Sequence, residues 1–175
     1  MKRDYIEFQE RSNPLGYLIT IRAYGTWLHD DERGSMNRRS FNIYGGRKIP
    51  ANGSLVASDK RLLVNGPIAF DRPKRSVIAA AFIEVCRTRN FGLPAINVRT
   101  NHAHVVVNAN SAPEPIMTSL KAYATRRLRE KGLVGPEEKV WSRHGSTRYL
   151  WTEEHIGTAV TYVKCGQGDE LPSFD

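Results

Sequence analysis

A chain of 175 residues has the length of one domain, here read as a single domain over 1–175 with a sizeable insertion at about 30–72. Its 40% hydrophobic and 25% charged residues suit a globular chain with a buried core, and no apolar run reaches membrane-spanning length. Two cysteines, Cys86 and Cys165, exclude a disulfide framework or a cysteine-based zinc site, and the polar start Met1–Tyr5 lacks the apolar stretch of a secretory signal, so a cytoplasmic location is expected.

The formal charge of +8 favours a polyanionic partner, bound through phosphate contacts and counterion release. Residues 1–14 are polar, end at Pro14 and read as an arm. Gly16 to Tyr24, rich in β-branched and aromatic residues, reads as a strand that continues or bulges at Gly25. From Asp30 to about Pro73 the chain carries several glycines, Arg33, Arg38, Arg39, Arg47 and Lys48, with no sustained helical period. It reads as a basic, loop-rich insertion with a short strand or helix near Leu62–Val64. Loops of that length are commonly functional or disordered, and contact with nucleic acid is the natural role for a basic one.

Pro73 stands ahead of an alanine-rich amphipathic run that predicts a helix to about Arg89, ended by Gly92 and Pro94. Ile96–Arg99 and His102–Asn108 are short strands, paired as a hairpin through Thr100-Asn101. Pro113 and Pro115 break the chain before a second helix, Ile116 to about Lys131. Ile116, Leu120, Tyr123, Ala124 and Leu128 make its apolar stripe, and Lys121, Arg126, Arg127, Arg129 and Lys131 its basic face. A polar segment, Val140 to Arg148, leads to a short strand at Tyr149–Trp151. Thr152 is the N-cap candidate of a last helix running from Glu153 to about Lys164. Strand, helix, strand, strand, helix, strand is the split βαβ, ferredoxin-like order. It predicts an α+β fold, an antiparallel sheet with helices on one face and a C-terminal helix added.

The sharpest local pattern is Asn101-His102-Ala103-His104-Val105-Val106-Val107. In a strand, side chains alternate, so His102 and His104 leave the same face, where their ring nitrogens could converge on one metal ion. Two imidazoles are half a site, and with no third ligand an ordinary surface pair is the commoner arrangement. A catalytic zinc, manganese or magnesium ion needs further ligands and an open position, where it acts as a Lewis acid on a phosphodiester. Tyr162, on the last helix, offers a nucleophile once its phenol, with an ordinary pKa of about 10, loses its proton. A helical tyrosine is most often a core or rim residue.

Taken together, these residues resemble the single-tyrosine transposases of the HUH endonuclease superfamily, specifically the insertion-sequence and REP-associated tyrosine transposase group. The His-x-His strand matches, and Thr161-Tyr162-Val163-Lys164, 58 residues after His104, matches the nucleophile helix. Tyr17–Ile21 with Tyr24–Leu28 is similar to the first strand of that group, and Ser119–Tyr123 to its second core helix. The resemblance implies that His102 and His104 hold Mg²⁺ or Mn²⁺ and that Tyr162 cleaves and rejoins single-stranded DNA at hairpin-bearing ends. The link formed is a 5′-phosphotyrosine, and no nucleotide cofactor is needed. In insertion-sequence members a glutamine one helical turn past the nucleophile completes the metal site. Here that position is Gly166 and Gln167 follows, rotated by about 100° on a regular helix. Gln167 is the expected third ligand, with Cys165, His144, His155 or water as alternatives.

Phosphate contacts are expected from Lys121, Arg126, Arg127, Arg129, Arg143 and Arg148, and base stacking from Trp27 and Trp141. Tyr123 and Tyr149 are weaker nucleophile candidates, and the family includes both homodimers and monomers. Two rival readings stand beside this one. The first is a non-catalytic hairpin- or RNA-binding ferredoxin-like module. The second is a metal-dependent hydrolase that uses water.

Overall fold

The computed structural model describes residues 13–26, 35–36, 48–49, 63 and 66–166. Most of the insertion, Trp27 and Gln167 lie outside these residues, as do the expected roles placed on them. The elements are β1 (Gly16–Ala23), β2 (Ser35–Met36), β3 (Lys48–Ile49), α1 (Arg72–Thr88), β4 (Gly92–Val98), β5 (His102–Asn108), α2 (Pro113–Glu130), β6 (Trp141–Leu150) and α3 (Glu153–Cys165). β2 and β3 pair with each other inside the insertion. The other four strands form one antiparallel sheet in the order β4-β5-β1-β6. That order is the expected split βαβ arrangement, with β5 and β1 central.

Three local expectations change. Pro113 and Pro115 do not precede α2 but form its first turn, where backbone N–H groups have no intrahelical acceptor and a proline forfeits nothing. Pro94 lies within β4 rather than ending a helix. β4 is an edge strand and its register shifts between Gly92 and Ala95, a position where a missing ladder donor is tolerated. The polar segment before Tyr149 is itself strand, so β6 is ten residues long. Its apolar signal is weak because it too is an edge strand with many half-exposed side chains. Gly145 marks where β6 meets α2 at close range. A Cβ there would collide with the Thr20 carbonyl oxygen and the Met117 sulfur.

The alternation of β1 divides the core between the two faces of the sheet. Tyr17, Ile19, Ile21 and Ala23, with Ala103, Val105 and Val107 of β5, pack under α1 and α2. Leu18 and Val106, joined by Ala95 and Leu150, pack under α3 through Ile156, Ala159 and Val163. Burying each of these branched side chains stabilises the docked helix by roughly 1.5–3 kcal/mol. The added helix thus takes the face opposite the other two. Trp141, expected as a base-stacking platform, is half-buried against the core beneath α1 and α2. Its ring meets Phe70 edge-on at 5.0 Å, and its indole N–H donates to the Lys121 carbonyl at 3.2 Å and to Thr125 Oγ1 at 3.1 Å.

Candidate active site

The face under α3 changes character along its length. On β1 the residues that point to it are Leu18, Thr20 and Arg22; on β5 they are Val106, His104 and His102. The register sets them side by side, Leu18 opposite Val106, Thr20 opposite His104 and Arg22 opposite His102. β4 continues the rows, with Ala95 beside Val106 and Asn97 beside His104. One end of the face is therefore apolar and seats α3, while the other end is a polar row.

The last turn of α3 reaches over that row. Thr152 caps the helix start by accepting from the His155 N–H at 3.1 Å, as its sequence position predicts. The spacing of Ile156, Ala159 and Val163 turns one stripe to the sheet, which leaves Tyr162 at the edge of the contact, half-buried. Its ring meets that of His104 edge-on, with centroids 5.5 Å apart. The His102 and His104 rings are 4.6 Å apart. Asn97 ties this geometry together, since its side-chain amide donates to the Val163 carbonyl at 2.9 Å. The strand neighbour of His104 thereby grips the residue next to Tyr162.

Both imidazoles are oriented by polar neighbours. The Nδ1 of His104 lies 2.8 Å from Thr20 Oγ1 in a buried contact, and the Nδ1 of His102 lies 2.6 Å from Asn101 Oδ1. With Nδ1 engaged on each ring, Nε2 is the nitrogen through which a metal would be met, the usual arrangement of an oriented histidine ligand. Burial, then the nearby charges of His102, Arg22 and Arg99, push the His104 imidazole down to about 3, so it stays neutral and keeps a lone pair at physiological pH. These residues fit two ligands of a divalent ion. Among the described residues no group of three His, Cys, Asp or Glu side chains gathers, so His144, His155 and Cys165 do not complete a set with the pair.

All but one of the sequence-predicted DNA contacts lie elsewhere. Lys121, Arg126, Arg129 and Arg143 line a groove of about 980 Å³ between α2 and β6. Because α2 packs on the other face, this groove lies across the sheet from the His–Tyr row. Within it Lys121 Nζ donates to the Ser142 carbonyl at 2.9 Å, and burial pushes its ammonium pKa down. Arg127 bridges two helices, donating to Glu84 of α1 at 2.6 and 3.0 Å, and to Glu130 at 2.8 Å. Those carboxylates hold its guanidinium pKa up, and Arg127 holds the Glu84 carboxyl below its usual range. Arg148, opposite Leu18, is on the α3 face. Tyr123, on α2, carries Arg126 over its ring at 4.5 Å. Tyr149 is exposed on β6, edge-on to Tyr17.

Sequence reasoning missed Thr20, Arg22 and Asn97. Thr20 and Arg22 break the apolar run of β1 at alternate positions, a usable signal once the facing strand carries histidines. Asn97 needs the hairpin register, which composition does not supply.

A family model described as "Transposase IS200 like" matches residues 68–162, more than half of the chain, and ends on Tyr162. The chain belongs to the IS200-like transposase family. Two solved structures resemble this transposase. One is a REP-associated tyrosine transposase bound to a REP hairpin, with 15% identity, TM-score 0.47, and coverage of 96% of this chain and 72% of that one. The other is a candidate transposase from Deinococcus radiodurans R1, with 13% identity, TM-score 0.44, and coverage of 94% and 95%. No curated protein matches the chain. Among its described residues, the transposase has no helix long and apolar enough to cross a membrane.

Proposed function

We propose that this transposase cleaves and rejoins single-stranded DNA through Tyr162. The observation that carries the reading is the convergence of the Tyr162, His104 and His102 rings at the polar end of one sheet face. In the reaction the Tyr162 oxygen attacks the scissile phosphorus, and the bond from phosphorus to the 3′ oxygen breaks. A 5′-phosphotyrosyl link remains, and the departing 3′ oxygen takes the electron pair and a proton. Attack by a different 3′-hydroxyl reverses the step, frees Tyr162 and rejoins strands, so bond energy is conserved without a nucleotide cofactor.

His102 and His104 would hold Mg²⁺ or Mn²⁺, which when bound supplies Lewis-acid neutralisation of the phosphate. Thr20 and Asn101 fix the imidazole orientations, and Asn97 fixes the helix that carries the nucleophile. Gln167 is kept as the candidate third ligand. Arg126, Arg129, Arg143 and Arg148 are the backbone-phosphate contacts, and a folded hairpin near the cleaved end, inferred from the sequence resemblance, is the recognised element. The test is incubation with labelled, hairpin-bearing single-stranded DNA and Mn²⁺. A protein–DNA adduct that survives denaturation and is lost in Tyr162→Phe is expected. Cleavage without an adduct would favour a water-using hydrolase, and binding without cleavage a non-catalytic module.

A further inference from the structure

β1, β4, β5 and β6 contain no aspartate or glutamate, so the sheet offers the His–Tyr row no carboxylate of its own. It does offer a cation. Arg22 stands directly across from His102 in the β1–β5 register and shares its face, next in line after Thr20 and His104. Paired residues on antiparallel strands have Cα atoms about 4.5–5.5 Å apart, which puts the guanidinium within one side-chain length of both imidazoles. Arg22 is half-buried, with its Nε in the interior, and its charge is felt at His104.

We propose that Arg22 is the phosphate-binding residue of this site, receiving a non-bridging oxygen of the phosphodiester attacked by Tyr162. The assignment rests on the reading of Tyr162 given above and adds the residue that seats its substrate. A guanidinium is always charged, and its planar fork matches two phosphate oxygens. Carried on a central strand, it is held by the same backbone that holds the histidines, so little ordering remains to be done on binding. Negative charge on the non-bridging oxygens is what such a fixed cation stabilises as the tyrosine oxygen attacks. Arg99 is the other arginine felt at His104, but it is exposed beyond the end of β4, where water screens it.

The experiment measures binding of full-length Tyr162→Phe protein to a hairpin-bearing single-stranded oligonucleotide, with one phosphate at a time replaced by a neutral methylphosphonate. Neutralising the scissile phosphate is expected to weaken binding by roughly ten- to a hundredfold, the scale of a charge-assisted contact, beside the effects at phosphates met by other cations. In Arg22→Ala, Tyr162→Phe protein that position becomes silent while the others keep their effects. Arg22→Lys, which preserves charge on the strand without the fork, restores part of the effect and guards against loss of fold. An identical profile with and without Arg22 overturns the assignment, as does a uniform loss at every position. The wild-type protein on the same oligonucleotide separates the two claims. An Arg22-dependent position without any adduct keeps the phosphate contact and removes Tyr162 as nucleophile. An adduct with an Arg22-independent profile does the reverse.

Discussion

Replacing Thr20 by valine tests whether a hydrogen bond inside the sheet sets the chemistry of the site. Valine keeps the shape and the β preference of threonine, so the perturbation is the hydroxyl alone. Thr20 is 9% exposed and His104 is 5% exposed, and their contact is 2.8 Å, so water cannot replace the lost partner. Leaving a buried imidazole nitrogen unsatisfied costs about 1–3 kcal/mol. For a chain of this size that lowers Tm by about 2–12 °C. Freed of its anchor, the His104 ring no longer presents Nε2 in one orientation, and loss of such an orienting partner lowers metal affinity or activity by about 10–100-fold. Thermal denaturation and the initial rate of adduct formation measure the two effects on the same protein, and Thr20→Ser, which returns the hydroxyl, recovers most of both. A Thr20→Val protein with wild-type Tm and rate would show that Thr20 is ordinary strand packing.

Asn97→Ala removes the amide that holds the Val163 carbonyl. The expected stability loss is small, about 0.5–1.5 kcal/mol, but adduct formation falls by up to about a hundredfold because Tyr162 loses its fixed position; a rate that falls no more than stability predicts would contradict this. Gly145→Ala should lower stability by about 1–3 kcal/mol in chemical denaturation, since the new methyl meets backbone on one side and Met117 on the other. Burial pushes the Cys86 thiol up to about 11, whereas Cys165 is exposed. A thiol reagent near pH 8 should therefore titrate one cysteine in the native chain and two in guanidinium, and rapid reaction of both in the native state would refute the burial.

Much of the fold was legible because its signals are local. β1 and β5 announce themselves by β-branched runs, α3 by the Thr152 cap and its acidic first turn, and the pairing of His102 with His104 by strand periodicity alone. The first eight residues of β6 carry no strand signal because Trp141–Arg148 is polar, and an edge strand need not be apolar to pair. Pro113 and Pro115 read as breakers because a proline in the first turn and one just before a helix look alike in sequence. The orienting contacts of Thr20 and Asn97 are less legible: Thr20 shows only as a polar break in the apolar run of β1, and Asn97 shows no local signal. Each acts on His104 or Tyr162 across a strand pair or a helix contact, and register is a tertiary property. The basic face of α2 was legible as a helix face, but the engagement of Arg127 by Glu84 depends on how α1 and α2 pack.

The atom to which the DNA becomes joined decides the role of Tyr162 most directly. Wild-type protein is reacted with a hairpin-bearing single strand and Mn²⁺, digested, and its nucleotide-bearing peptide sequenced by mass spectrometry. The predicted result is one modified residue, Tyr162, joined to a 5′ phosphate, with Tyr123→Phe and Tyr149→Phe proteins labelled as wild type. Modification of Tyr123 or Tyr149 instead, or cleaved DNA with no nucleotide on any tyrosine, contradicts it.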